Sequence, residues 1–198
     1  LYSTIHIEKT ISYYLKKTTE LDKVLNIFIR VNSGGTQLSY SDLLLSIATT
    51  QWEDKDAREE ITQFVSEING IGSGFRFTKD FVLKTCLVLS DLPDIAFKVD
   101  NFNKKNMLII ERNWEQTETA IRLAVILVSS FGYSRENLPS HHALIPIAYY
   151  LQKLGLPRNF HNSALYLEDR KRIKQWLIRS LLKKVFGGIS DNYFCSRF

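Results

Sequence analysis

Proline, glycine and cysteine are all scarce in this chain, and each scarcity removes a class of protein. The four prolines and nine glycines among 198 residues are scattered. With no low-complexity stretch or solenoid-period repeat, neither a linker-joined pair of domains nor a repeat array is expected. The two cysteines, Cys86 and Cys195, are too few and too distant in sequence for a disulfide scaffold. That usage suits a reducing, cytoplasmic compartment. Cys86 sits in the apolar pattern Phe81, Val82, Leu83, Leu87, Val88, Leu89 and reads as a small hydrophobe. Long apolar runs are missing too: Leu123 to Val128 is the most apolar, far short of the roughly 20 residues that span a bilayer. Leu1 to Thr19 contains Glu8, Lys9, Lys16 and Lys17, so it has no continuous apolar core of a secretory signal.

Familiar catalytic motifs are equally absent. There is no G-x-x-x-x-G-K-[ST] loop, no strand followed by G-x-G-x-x-G, and no serine nucleophile elbow. His6, His141, His142 and His161 have no cysteine or acidic partner at a zinc-binding spacing, and the adjacent His141 and His142 are expected to point in different directions on a helix. Glu59 and Glu60 read as a solvated helix face rather than a catalytic dyad. No metal site and no self-sufficient active site is expected.

What the chain does have is helical periodicity. Apolar spacing predicts helices near 7–17, 22–31, 40–52, 57–69, 79–90, 104–111, 113–131, 141–154, 168–186 and 190–196. Thr78, Asn103, Ser140 and Asn192 stand where caps belong, and Gly70, Gly132, Gly155 and Gly187 where helices should end. With 44% hydrophobic and 12% aromatic content, residues 1–198 read as a single all-α, multi-helix globular domain. Residues 71–77, IGSGFRF, are the best candidate for a loop or a short hairpin. The aromatic residues Tyr13, Tyr14, Trp52, Trp114, Tyr149, Tyr150 and Trp176 recur with aliphatic neighbours and read mainly as core.

The most informative stretch is Ile27 to Ser46. Asp22 can cap a helix with apolar positions Val24, Leu25, Ile27, Phe28 and Val31, and Gly34-Gly35 supplies the turn after it. Ser39 followed by Asp42 resembles a capping box ahead of Leu43, Leu44, Leu45 and Ile47. Between the two helices lie Arg30, Asn32, Ser33, Gly34, Gly35 and Thr36, so donors and unpaired backbone N–H groups gather near a helix N-terminus, as an anion such as phosphate requires. The plainer alternative is a helix connection in which Asn and Gly only satisfy backbone geometry.

The pattern F-I-R-V-N-S-G-G-T-x-L-S-x-x-D-L-L-L-S resembles the signature of the ParB-like, GmrSD-type family of modification-dependent restriction and phage-defence proteins. Residues 138–154, LPSHHALIPIAYYLQKL, and 186–198, FGGISDNYFCSRF, resemble the helical part of the same family. The resemblance covers most of the chain from Leu21 onward. Relatives carry an upstream D-G-Q-Q-R motif in a ParB-like domain and in many cases a downstream HNH-type nuclease domain; neither occurs here. The resemblance therefore implies an internal or C-terminal piece of a larger nucleotide-dependent DNA endonuclease, a hydrolase, with the piece inactive by itself. It implies no cofactor in the piece, and a nucleoside triphosphate and divalent metal in the parent. The partners it implies are the missing N-terminal ParB-like domain, DNA and a second copy of the chain.

Charge adds a separate signal. The chain carries +5 overall. Arg170, Lys171, Arg172, Lys174, Arg179, Lys183 and Lys184 face only Glu168 and Asp169 in the same stretch, which leaves the remainder formally neutral. On a helix, Arg172, Arg179 and Lys183 align on one side, with Ile173, Leu177, Leu181 and Val185 as the packing arc. Such a stripe suits a nucleic-acid backbone, with Trp176 beside it as the aromatic that could meet a base; the alternative is an ordinary solvated face. Two functional readings follow: the helical portion of a DNA-targeting defence or restriction protein, or a non-enzymatic helical interaction or scaffold module.

Overall fold

The computed structural model describes residue 27 and residues 40–186. By its internal contacts the chain divides into Leu1–Gln37 and Leu38–Phe198, and the helices named below belong to the second unit. The predicted helices at 7–17 and 190–196, that at 22–31 apart from residue 27, the cap positions Ser39 and Asn192, Gly187 and Cys195 lie outside the described residues.

Among the described residues the structure is all-α, with seven α-helices and no strand. These are α1 Tyr40–Thr49, α2 Ala57–Asn69, α3 Lys79–Leu89, α4 Lys104–Arg112, α5 Trp114–Ser130, α6 Leu144–Lys153 and α7 Leu167–Leu182. Short 3-10 segments at Val99–Phe102, His141–Ala143, Arg158–His161 and Ala164–Tyr166 join them. The central helix is α5, which packs on α6, α2, α3, α4 and the Arg158–His161 segment. Its buried residues, among them Trp114, Ile121, Ala124, Val125, Leu127 and Val128, recur on several faces, as a helix enclosed by neighbours must.

Local chemistry explains most boundaries. Asp56 caps α2 by accepting from the N–H groups of Arg58 and Glu59. Thr78 caps α3 through Phe81 N–H and Asn103 caps α4 through Asn106 N–H, as their positions in the sequence predict. Ser140 makes no cap; its Oγ donates to the carbonyl of Phe186 at 3.1 Å. Pro146 lies in the first turn of α6, where its missing N–H has no intrahelical partner to lose. The helix predicted over 141–154 starts as a 3-10 turn and becomes α-helical at Leu144.

No hairpin forms at 71–77, and the reason is Asn69. Phe77 N–H donates to Asn69 Oδ1 at 2.6 Å and Asn69 Nδ2 donates to Phe77 O at 3.0 Å, so one side chain serves both backbone groups that a second strand would have served. In the loop that forms, Phe75 and Phe77 are buried beside Phe81 while Arg76 is exposed.

The first helix stops at Thr49 rather than Trp52. Beyond it, Glu111 of α4 holds the loop: its buried carboxylate accepts from the N–H groups of Glu53, Asp54 and Lys55 at 3.0, 2.8 and 3.0 Å. Burial by itself would raise the Glu111 pKa, but the three amides and the Lys104 charge outweigh it and hold the group below its ordinary value. Trp52 and Trp114 then meet edge to face with centroids 5.6 Å apart, and Trp114 Nε1 donates to Glu60 Oε2 at 2.9 Å. Glu60, read as part of a solvated face, thus has a structural partner. Cys86 is fully buried, which pushes its thiol up to about 12 and fits its reading as a small hydrophobe.

Candidate functional site

The basic helix α7 sits at the periphery, its main contacts being with the 3-10 segments His141–Ala143 and Ala164–Tyr166. Arg170 anchors its first turn by donating to the carbonyls of Phe160 and Ser163. Leu177 is fully buried, Ser180 is buried, and Ile173, Leu181 and Val185 are half-buried, so the apolar arc read from the sequence is the packing face. The helix is shorter than the 168–186 segment predicted. Lys184 adopts a left-handed φ of 51°, with Lys184 N–H donating to Leu181 O and Val185 N–H to Ser180 O, a Schellman ending without glycine.

Arg172, Arg179 and Lys183 are all exposed, and no ion pair joins them to a carboxylate among the described residues. Trp176 falls four residues after Arg172 and three before Arg179, hence on the same line. It is 39% exposed and tilts against Phe186 at 6.0 Å. The neighbouring cations differ: Lys171 pairs with Glu168 at 2.7 Å, and Lys174 Nζ lies 5.6 Å from the centre of the Phe131 ring.

The other site read from the sequence, Arg30, Asn32, Ser33, Gly34, Gly35 and Thr36, lies outside the described residues. Just beyond it, Asp42 pairs with Lys79 at 2.9 Å, tying the start of α1 to the start of α3.

A polar recess that the sequence did not announce lies at the start of α3. It measures about 270 Å³ and is walled by Phe81 and Pro139, with Thr78, Asp80, Lys84, Ser140, His141 and His142 around it. Asp80 Oδ1 is buried without a hydrogen-bond partner. Burial holds the His141 pKa below its ordinary value, and its ring lies 4.9 Å from that of Phe77. His141 and His142 occupy a 3-10 turn rather than the α-helix predicted there, and both border the recess. Their adjacency was visible in the sequence, but the α3 partners lie some sixty positions away and were not. A neutral imidazole and a carboxylate there could exchange hydrogen bonds with a small polar group.

A second, wider groove of about 530 Å³ runs along α5 past Glu67, Glu118, Arg122 and Arg158. Arg122 is engaged within it, donating to Glu67 and Glu118 and lying over the Phe64 ring at 5.5 Å. Among the described residues no group of three histidines, cysteines or acids could hold a metal ion, and no helix is long and apolar enough to cross a membrane.

No protein-family model and no curated protein matches this chain. The class of protein that the fold defines is accordingly an all-α, multi-helix domain.

Proposed function

We propose that this chain is the helical portion of a DNA-targeting defence or restriction protein of the cytoplasm, in which α7 contacts the nucleic-acid backbone. The observation that carries the reading is the line Arg172, Trp176, Arg179 and Lys183, which is exposed along one side of a peripheral helix. Three guanidinium or ammonium groups along one line can each neutralise a phosphate, and a half-exposed indole among them offers a surface for base stacking. The resemblance of residues 28–46 to the ParB-like, GmrSD-type signature supports the same reading. In it, Arg30 neutralises a phosphate and Asn32 orients it, while Ser33, Gly34, Gly35 and Thr36 bring backbone N–H groups close. That site would be completed by an N-terminal ParB-like domain, which would also supply most of the grip on a nucleoside triphosphate. A divalent metal would belong to the full-length parent.

The test is salt-dependent binding of the purified chain to labelled duplex and single-stranded DNA, with Arg172→Glu, Arg179→Glu and Lys183→Glu combined as the control. The expected result is affinity that falls with salt and is lost in the triple variant, with the logarithmic salt slope reduced by about 0.9 per duplex phosphate contact removed. Affinity and slope unchanged by the reversal would remove α7 from the interface. For the turn, Asn32→Ala in the full-length protein should abolish turnover without unfolding. A loss of about 1 kcal/mol in stability with unchanged activity per folded molecule would make Asn32 a helix cap only.

The second reading, a helical interaction or scaffold module, has its own observation. Leu165 and Leu182 are 80% and 79% exposed at the two ends of the same helix region.

A further inference from the structure

Three lines of residues run along α7 when it is unrolled at about 100° per residue. Ile173, Leu177 and Leu181 face the body of the domain, and Arg172, Trp176, Arg179 and Lys183 form the cationic line. Leu167, Lys171, Ile178 and Leu182 form a third. Leu167, Ile178 and Leu182 on it are 48%, 38% and 79% exposed, and Leu165 just ahead of the helix is 80% exposed. Packing against the domain needs one apolar face, and α7 presents two. Large exposed aliphatic side chains gathered on one helix mark an interaction surface more often than scattered ones do. From Leu167 to Leu182 the strip runs about 22 Å along the axis, roughly four turns of a helix.

We infer that this third line docks an amphipathic helix of another protein, one that carries carboxylates beside its apolar residues. Charge selects that occupant. Lys171 stands within the apolar line and Lys174 at its border, while Arg172 and Arg179 belong to the cationic line and Arg170 is bound to the carbonyls of Phe160 and Ser163. A second copy of the chain laid face to face would bring these like charges together. A lipid surface also accepts leucines and lysines on one helix, and the vesicle measurement below separates that occupant from a protein helix. An acidic helix meets Lys171 with a carboxylate and covers the leucines together, the arrangement of a helix laid into an apolar strip. The existing Lys171–Glu168 pair is exposed on both sides and opposes the exchange little. This inference rests on the second reading above and is independent of DNA binding, because the docking line and the Arg172–Lys183 line point to different sides.

Two synthetic helical peptides of equal length test it against the whole chain by fluorescence anisotropy. One repeats leucines at helical spacing flanked by glutamates, and the other has lysine for every glutamate. The glutamate peptide is expected to bind at least about tenfold more tightly than the lysine peptide, and to lose at least about tenfold in affinity when Ile178→Ser and Leu182→Ser are combined. The melting temperature should stay unchanged, since both positions are exposed. The Arg172, Arg179, Lys183 reversal should abolish DNA binding and leave the peptide's dependence on Ile178 and Leu182 intact. The inference is overturned by no binding of the glutamate peptide, by binding indifferent to the serine pair, by association with phosphatidylserine-containing vesicles in its place, or by a chain dimer in sedimentation that the serine pair dissolves.

Discussion

Helices α5 and α7 are nearly the same length, 17 and 16 residues, and they live in opposite environments. Nine residues of α5 are buried, against only Leu177 and Ser180 of α7. The one is wrapped by neighbours and brings Ser129 against Gly72 near its end; the other leans on two short 3-10 turns and shows cations and leucines to solvent. Stability of the domain therefore resides around α5, while α7 has surface to spare for partners. Functional surfaces are commonly drawn from the less buried parts of a fold, because a residue committed to the core cannot also meet a ligand.

The contrast can be broken most severely at Trp114. Trp114→Ala removes a fully buried ring that packs on Trp52 and Phe64 and strands the Glu60 carboxylate. A loss of about 3–5 kcal/mol in urea denaturation is expected; a loss below about 1 kcal/mol would show that α5 is not the centre of stability.

Gly72 comes next. It adopts φ +61°, and a Cβ there would meet Ser129 Oγ of α5 at 2.0 Å. Gly72→Ala should cost roughly 2–3 kcal/mol, combining left-handed strain with overpacking. Adding Ser129→Ala should return only the overpacking part, which a double-mutant cycle measures.

Glu111→Gln should cost about 2 kcal/mol at neutral pH, because three backbone amides lose a charged acceptor. The pH dependence has a definite sign. The folded-state pKa lies below the ordinary glutamate value, so this stabilisation is fully present above the unfolded-state pKa and disappears as pH falls through the folded-state value. Denaturation midpoints of wild type and Glu111→Gln should converge in acid; parallel curves would mean that the charge is irrelevant to the loop.

A gain is expected at Thr117, whose Oγ1 is buried without a partner in the middle of the core. Thr117→Val should raise stability by up to about 1 kcal/mol. Smallest of all is the effect on folding of Ile178→Ser or Arg179→Glu on α7, within about 0.5 kcal/mol by the same denaturation assay. Larger losses there would erase the division between a stabilising α5 and a presenting α7.

How far the sequence could be read depends on the reach of the interaction involved. Thr78 and Asn103 were recognisable as caps because a cap bonds a residue three positions on, and the burial of Leu177 followed from its place in a local repeat. At residues 71–77 the sequence left a loop and a hairpin both open, and the choice fell to the Asn69 side chain, whose bonds to Phe77 no local pattern announces. The polar recess was invisible because Asp80 and His141 belong to different helices, brought together only by packing of α3 against α6.

The sequence by itself therefore determined that this is a helical domain, where most of the described helices start and stop, and that its excess positive charge falls on one of them. Those properties arise from contacts within a turn or two of helix. Only the tertiary structure decided that Glu111 holds a loop some 56–58 positions away, that two adjacent histidines share a recess, and that a second apolar line on α7 is left facing water. Each of these depends on which surfaces the packed helices cover, and packing joins residues whose separation along the chain carries no local signal.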